Sequence, residues 1–201
     1  MTSVAIFDRD GTIIDVVRDE ETGFVGVAFH PRQLRLLKDA VAGMRRFQDA
    51  GFTIAMATNQ PAPAKGQFSR AAVEATNRAL VELLAEQGVR VEHVAVCMHH
   101  PEGGEGGDPS LVGPCACRKP KPGLVTDTLA ALGGDAAASW MIGDSPGDVT
   151  AGRAAGVKAA LVFDTKRCEL CPLRGGAPGT PDASGPTLLA IANAVLGPAQ
   201  P

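Results

Sequence analysis

The segment Val4-Ala5-Ile6-Phe7-Asp8-Arg9-Asp10-Gly11-Thr12 places a short apolar run directly before two carboxylates that are one residue apart. An apolar run of this length, followed by polar residues, is typical of a strand buried on both faces. Alternate residues of an extended chain point to the same side, and Gly11 permits a sharp turn of the backbone toward a ligand. The segment therefore predicts a buried strand that presents Asp8 and Asp10 at its carboxyl end.

Similar apolar runs recur along the chain and predict further strands at Thr53 to Ala57, Val94 to Cys97, Trp140 to Ile142 and Ala159 to Phe163. Apolar residues at three- and four-residue spacing predict helices at 38–50, 69–87, 123–132, 147–155 and 187–196. This alternation predicts an α/β fold, a doubly wound parallel sheet with ligands bound beyond the carboxyl ends of the strands. Polar or thiol residues end four of the runs: Asp8, Thr58, Cys97 and Asp144.

Three stretches do not have the pattern of core elements. Asp15 to Pro31 carries acidic residues and glycines between apolar ones, which fits a β-hairpin flap. Pro101 to Pro114 is a glycine-rich loop, and Arg174 to Pro186 is typical of a Gly/Pro linker. Since none of them is long enough for a large cap domain, we expect a rather open cleft shaped by these loops.

Length and composition place the chain among ordinary globular proteins. Its 201 residues fit one domain, predicted as 1–201 with a flap insertion at 12–37, a cysteine-bounded loop at 97–117 and a C-terminal extension at 166–201. A net charge of -3 gives no reason to expect a nucleic-acid partner. With no basic leader and no long apolar segment, we expect a cytoplasmic monomer without membrane contact.

The Asp8/Asp10 pair has the chemistry of a phosphoryl-transfer site. Because a carboxylate repels a phosphate dianion, such a pair needs a cation, for which Mg²⁺ is suited. Asp8 would attack phosphorus to form an aspartyl-phosphate. Asp10 would protonate the leaving oxygen and later deprotonate the hydrolytic water. Taken alone, Asp-x-Asp-Gly fits a calcium loop or an ordinary turn equally well.

Four motifs in order resemble those of the haloacid dehalogenase (HAD) superfamily: 8–12, 58–60, Lys119 before a helix, and Gly143-Asp144-x-x-x-Asp148. The resemblance implies a magnesium-dependent phosphatase and selects Lys119, rather than the nearby Lys121, as the cation beside the nucleophile. Thr58 and Asn59 could hold phosphate or substrate through hydrogen bonds.

Asp144 is the expected direct Mg²⁺ ligand, together with Asp8 and the backbone carbonyl of Asp10, because Mg²⁺ prefers hard oxygen ligands. Asp148 lies about one helical turn further on. It could hold a metal-bound water or cap the helix that starts near Gly147.

A second metal site is predicted from Cys97-x-His99 and Cys115-x-Cys117, which supply three thiolates and one imidazole. This set suits a closed, structural Zn²⁺ site, with His100 as a competing ligand and free cysteines as the alternative. The loop between the two pairs has little apolar content to bury, so zinc would supply its order. Tethering Cys117 would also fix Arg118 and Lys119 over the cleft.

The combination of HAD motifs with Cys-x-His and Cys-x-Cys-Arg-Lys-Pro resembles the D-glycero-D-manno-heptose-1,7-bisphosphate 7-phosphatase family and the related histidinol-phosphatase domain, over roughly residues 4 to 165. That resemblance implies a structural zinc, a fold without a large cap, and Arg118 as a contact to substrate phosphate. Pro61-Ala62-Pro63 and Ser145-Pro146 depart from the family pattern, and the flap is longer. These departures concern substrate choice rather than phosphatase chemistry.

A heptose bisphosphate is the expected substrate. Histidinol phosphate, another sugar phosphate and a nucleotide are the alternatives, and a non-catalytic HAD-fold binding protein is the alternative of another class. Cys168 and Cys171 lie outside the resemblance. We expect them to be reduced, with a redox or metal role as the other reading.

Overall fold

The computed structural model of the chain describes residues 2–18, 21, 25–163 and 180–198. These residues form eight strands: β1 Val4–Phe7, β2 Val17–Arg18, β3 Val25–Gly26, β4 Thr53–Asn59, β5 Val91–Cys97, β6 Trp140–Gly143, β7 Lys158–Val162 and β8 Ala183–Gly185. Six of them make one sheet in the order β5-β4-β1-β6-β7-β8, and every neighbouring pair is parallel. The predicted doubly wound α/β fold is confirmed.

Five α-helices cover the sheet: α1 Ala40–Asp49, α2 Arg70–Glu86, α3 Gly123–Leu132, α4 Pro146–Ala154 and α5 Leu188–Leu196. Each lies within two residues of its predicted bounds. The predicted strands are also confirmed, although β5 begins at Val91, three residues before the predicted start.

The central strand β1 separates two apolar cores, one on each face of the sheet. Ala5 and Phe7 belong to the core that includes residues of α1, α2 and α5, whereas Val4 and Ile6 belong to the core formed with α3 and α4. All four residues are fully buried. Burying a large apolar side chain stabilises a fold by about 1.5–3 kcal/mol, which explains why β1 is an unbroken apolar run rather than an alternating one.

The linker predicted at Arg174 to Pro186 is wrong for its last residues, since Ala183–Gly185 forms β8 and pairs with β7 at the edge of the sheet. Asp182 anchors this strand: its carboxylate accepts a hydrogen bond from Ala159 N at 2.8 Å and pairs with Arg153 at 3.1 Å. Three small residues give no apolar run, so the strand has no sequence signal. Residues 174–179, and with them Cys168 and Cys171, lie outside the described residues.

The hairpin predicted between Asp15 and Pro31 is confirmed by the antiparallel pairing of β2 with β3. Its base is firmly seated, because Ile14 and Ala28 are buried in the first core. Phe29 stacks on Phe68, which precedes α2, with ring centroids 3.6 Å apart and planes at 11°. The flap therefore emerges from a fixed root beside the carboxyl ends of the strands.

Across the ranges that the structure describes, none of the helices has the length and apolar character needed to cross a bilayer.

Candidate active site

Neighbouring strands deliver the predicted site residues to one edge of the sheet, where the strand order changes direction. Asp8 follows β1 and Asp144 follows β6, while Thr58 and Asn59 are the last two residues of β4. The backbone N–H of Asp8 donates to the carbonyl oxygen of Ile142 at 2.8 Å and ties the ends of β1 and β6 together. This edge is the position at which open α/β sheets bind ligands.

Asp8, Asp144 and Asp148 form the carboxylate cluster, in which one oxygen from each lies within 4.8 Å of the others. The approach depends on Gly11, whose φ is +80°: a Cβ there would lie 2.2 Å from Oδ2 of Asp144. Oδ1 of Asp148 is buried and lies 2.6 Å from Nζ of Lys119. Three hard oxygen donors, brought together where a glycine leaves room for Asp144, fit a Mg²⁺ ion.

Lys119 supplies the positive charge of this cluster. Its side chain is 5% exposed, and Nζ lies 2.7 Å from Oδ1 of Asp8, 2.6 Å from Oδ1 of Asp148 and 2.7 Å from the carbonyl oxygen of Ala57. Burial acts to lower the pKa of Lys119, but the carboxylates of Asp148 and Asp8 outweigh it and raise that pKa above its usual range. Lys121 instead donates to the carbonyl of Cys115 on the exposed surface, so the geometry favours Lys119.

The acidic groups are crowded beyond what one lysine neutralises. Burial raises the pKa of Asp8 to about 6, with Lys119 opposing the shift and Asp148 adding to it. Burial also raises the pKa of Asp144 to about 7, and Asp8 and Asp148 add to that shift. Because a divalent cation favours the ionised form of each carboxylate, these shifts are a second reason to expect a metal here.

Asp148 has the capping role that was one of its two predicted alternatives, while the metal-bound water stays a prediction. It is the third residue of α4, and its Oδ2 accepts hydrogen bonds from N and Oγ of Ser145 at 3.1 and 2.6 Å, completing a capping box with that N-cap residue. Its Oδ1 meanwhile faces Lys119 at 2.6 Å. The same side chain therefore caps the helix and completes the carboxylate cluster.

The carboxylate of Asp10 is bound by two side chains, Arg9 and Gln60, that the sequence patterns do not single out. Arg9 pairs with it through Nε at 3.0 Å and Nη2 at 3.1 Å. Gln60 donates from Nε2 to Oδ2 of Asp10 at 2.7 Å and to Oγ1 of Thr58 at 2.9 Å. Their position beside motif residues was the only available signal, because hydrogen-bond partners cannot be read from spacing.

Asn59 and Arg118 flank the cleft through contacts to the backbone. The side-chain amide of Asn59 donates to the carbonyl oxygen of Lys119 at 3.0 Å and accepts from the Lys119 N–H at 3.1 Å. Nη1 of Arg118 donates to the carbonyl oxygen of His99 at 3.3 Å. Substrate binding by these two residues stays a prediction, and the observed role of Asn59 is to fix the backbone that carries Lys119.

The cysteine cluster, which consists of Cys97, His99, Cys115 and Cys117, is assembled as predicted. The Cys97 sulfur lies 3.8 Å from that of Cys115 and 3.0 Å from that of Cys117, and Nδ1 of His99 lies 3.5 Å from the Cys117 sulfur. A tetrahedron with zinc–sulfur bonds of about 2.3 Å separates its sulfurs by about 3.8 Å. The donor set and the spacing of Cys97 and Cys115 are therefore compatible with Zn²⁺, whereas Cys117 lies closer to Cys97 than a zinc tetrahedron would place it.

The hydrogen bonds of the loop distinguish the two candidate histidines. Nδ1 of His100 accepts a hydrogen bond from Gly103 N at 3.0 Å and so belongs to the loop, which leaves His99 as the ligand. Burial raises the pKa of the Cys97 thiol above its usual range. Since zinc binds the thiolate, metal binding would remove that proton and couple the site to folding.

Comparisons with known proteins agree with this geometry. A family model for HAD-hydrolase-like proteins matches residues 116–169. The D-glycero-beta-D-manno-heptose-1,7-bisphosphate 7-phosphatase of Pseudomonas aeruginosa is 34% identical over 160 residues, which are 80% of this chain and 80% of that protein. The chain belongs to the heptose-1,7-bisphosphate 7-phosphatase family of HAD enzymes.

Another member of this heptose-bisphosphatase family, from Escherichia coli K12, is 32% identical over 180 residues, 89% of this chain and 83% of that protein. The crystal structure of D,D-heptose 1,7-bisphosphate phosphatase from B. bronchiseptica, complexed with magnesium and phosphate, has a TM-score of 0.75 and 28% identity and covers 98% of both chains. The resemblance inferred from the four motifs is confirmed. The present chain is accordingly an enzyme, a phosphoric monoester hydrolase.

Proposed function

We propose that this protein hydrolyses the 7-phosphate of D-glycero-β-D-manno-heptose 1,7-bisphosphate through an aspartyl-phosphate on Asp8. The observation that carries the proposal is the placement of Lys119 between Asp8 and Asp148, beside Asp144, at the switch point of the sheet. This is the charge arrangement that an attacking carboxylate needs in front of a phosphate. The substrate follows from the relatives that bear this name.

In the first step, one oxygen of Asp8 attacks phosphorus while the bond from phosphorus to the sugar oxygen breaks. The leaving oxygen takes a proton from Asp10. Lys119 holds Oδ1 of Asp8 at 2.7 Å and leaves the other oxygen to attack. A Mg²⁺ ion held by Asp8, Asp144 and the carbonyl of Asp10 would neutralise the repulsion between carboxylate and phosphate when bound.

In the second step, Asp10 takes a proton from a water molecule that attacks the aspartyl-phosphate, which releases phosphate and restores Asp8. Thr58 has a defined part in both steps. Its Oγ1 accepts from Gln60, so its own hydroxyl proton is free to donate to a phosphoryl oxygen. We assign Arg118, and the amide proton of Asn59 that Lys119 leaves free, to contacts with the phosphorylated substrate.

The cysteine cluster has a structural part in this function. Only Arg118 separates Cys117 from Lys119, so a zinc held by the cluster would fix the backbone of both cations. We assign the whole chain to one phosphatase domain, with the flap at 12–37 and the zinc loop at 97–117. We also assign it to the cytoplasm as a monomer without nucleic-acid or membrane partners, in keeping with reduced thiols at 97, 115 and 117 and a net charge of -3.

A substrate panel with Mg²⁺ tests the proposal. It should include both anomers of the heptose 1,7-bisphosphate, histidinol phosphate, heptose 7-phosphate, common sugar phosphates and a nucleotide. We expect kcat/KM for the β-anomer to exceed every other value by about tenfold or more, with heptose 1-phosphate as the product. A higher kcat/KM for histidinol phosphate would overturn the substrate. Release of the 1-phosphate would overturn the proposed regiochemistry, and light scattering would test the monomer.

A further inference from the structure

In sequence, Arg9 lies between Asp8 and Asp10. Its guanidinium binds groups outside the carboxylate cluster. The whole residue is 0% exposed. Four of its five N–H groups are engaged: two on Asp10, one on Oδ1 of Asn77 at 2.7 Å and one on the carbonyl of Ala28 at 2.8 Å. Burying an arginine is costly unless its donors are satisfied. Here the engaged donors are satisfied by the Asp10 carboxylate, the Asn77 side chain and the Ala28 carbonyl.

These contacts link three parts of the molecule through one side chain. Asn77 lies in α2, Ala28 lies at the root of the flap, and Asp10 carries the acid/base carboxylate. Next to Ala28, the Phe29 ring stacks on Phe68 and holds the flap root in place. Nη2 of Arg9 donates both to the carbonyl of Ala28 and to Oδ1 of Asp10. A shift of the flap root would therefore move this nitrogen and change its hydrogen bond to Asp10.

The hydrogen bonds on Asp10 distinguish its two oxygens. Oδ2 accepts from Nε of Arg9 and from Nε2 of Gln60, which fills its two acceptor positions. Oδ1 accepts only from Nη2 of Arg9 among the described residues. One lone pair of Oδ1 is thus left for a proton that moves to or from the reacting oxygen.

We propose that Arg9 is a positioning residue that directs Oδ1 of Asp10 at the leaving group and makes this orientation depend on the seating of the flap at Ala28. The inference rests on the proposed function, since it concerns the proton that the leaving oxygen receives. In that step the P–O bond electrons pass to the leaving oxygen, which takes the proton from Oδ1 of Asp10. Arg9 exchanges no proton and keeps all of its own.

The test compares two leaving groups. An alkoxide, such as the sugar oxygen of the heptose bisphosphate, needs a proton to depart, whereas p-nitrophenolate departs without one. Because kcat/KM covers the steps up to departure, it isolates the acid role from the later hydrolysis of the aspartyl-phosphate. A residue that only supports the fold would change both substrates equally, whereas a residue that positions the acid affects the sugar phosphate selectively.

For Arg9→Lys, which keeps the charge but loses the planar fork, we expect kcat/KM to fall about 100-fold on the heptose bisphosphate and less than about fivefold on p-nitrophenyl phosphate. Arg35→Lys is the matched control, because the Arg35 guanidinium donates to the carbonyls of Arg32 and Leu34 among the residues that the structure describes. Neither substrate should respond to it. An equal loss on both substrates in Arg9→Lys would overturn the positioning role.

If Arg9→Lys does not fold, as judged by circular dichroism, Asn77→Leu decides, since it removes an acceptor that anchors the Arg9 guanidinium and should show a selective loss in the same direction. Phe29→Ala tests the flap and should shift the ratio between the substrates in the same direction by about threefold; an unchanged ratio would overturn the dependence on the flap. A wild-type enzyme inactive on both substrates would instead count against the proposed function.

Discussion

The carboxylate cluster and the cysteine cluster lie close together in this protein, and their donor atoms suit different metals. The carboxylate cluster has three hard oxygen donors, fewer than the about six ligands that Mg²⁺ takes, and Lys119 neutralises part of its charge. The cysteine cluster has four softer donors, the number that a tetrahedral Zn²⁺ site needs. An open site suits a metal that meets a substrate, whereas a closed site suits a metal that holds a fold. The carboxylate cluster thus serves the reaction and the cysteine cluster the fold, although both lie at the carboxyl ends of strands in the same sheet.

The two clusters are joined by a short covalent link. Cys117 belongs to one and Lys119, two residues later, neutralises the other. Asn59 fixes that link from the side by two hydrogen bonds to the backbone of Lys119. A mutation in the cysteine cluster should therefore lower activity by displacing Lys119. A mutation in the carboxylate cluster should lower activity and leave the fold intact.

Removing the nucleophile should give the largest effect. In Asp8→Asn, we expect turnover to fall by roughly 10⁴-fold or more, because the amide cannot attack phosphorus. The fold should persist or become slightly more stable, since the change removes one of three crowded carboxylates. Phosphate release and a thermal melt measure the two effects. Hydrolysis at the wild-type rate would refute Asp8 as the nucleophile.

Removing the cation of the carboxylate cluster should give the next largest effect. We expect Lys119→Met to lower kcat by about 10³-fold, because Nζ holds both Asp8 and Asp148. Lys121→Met is the matched control two residues away. It loses only a surface hydrogen bond to Cys115, so its kcat should stay within about threefold of wild type. Equal losses in the two variants would mean that the link, and not the charge of Lys119, matters.

The strand ends explain how much of this site the sequence could predict. An apolar run followed by Asp8 fixes both the strand and the position of the carboxylate, because parallel strands end at a common edge. The cysteine pairs are recognisable for a similar reason, since ligand spacing follows from the geometry of the metal. The roles of Arg9 and Gln60 could not be predicted in this way, because their hydrogen-bond partners are distant in sequence. The edge strand β8 has three small residues and therefore lacks an apolar pattern.

Opening the cysteine cluster should change stability first and activity second. For Cys115→Ser, we expect loss of the single bound zinc, about 3 kcal/mol of lost stability, and a fall in activity because 117–119 is no longer tethered. Elemental analysis, denaturant unfolding and phosphate release report the three quantities. Cys168→Ser is the control and should keep the zinc, since Cys97, His99, Cys115 and Cys117 already supply four ligands. Metal-free protein with unchanged stability would contradict a structural zinc.

Acidification should give the smallest effect and should separate the two clusters. Burial raises the pKa of Asp144 to about 7 and that of Asp8 to about 6, so protons compete with Mg²⁺ as the pH falls through this range. We expect the Mg²⁺ concentration for half-maximal activity to rise about tenfold from pH 8 to pH 6, while the zinc content stays constant. Titrations of activity with Mg²⁺ at both pH values measure the shift. An unchanged Mg²⁺ requirement would mean that the carboxylates are already ionised at pH 6, and that Lys119 rather than the metal sets their charge.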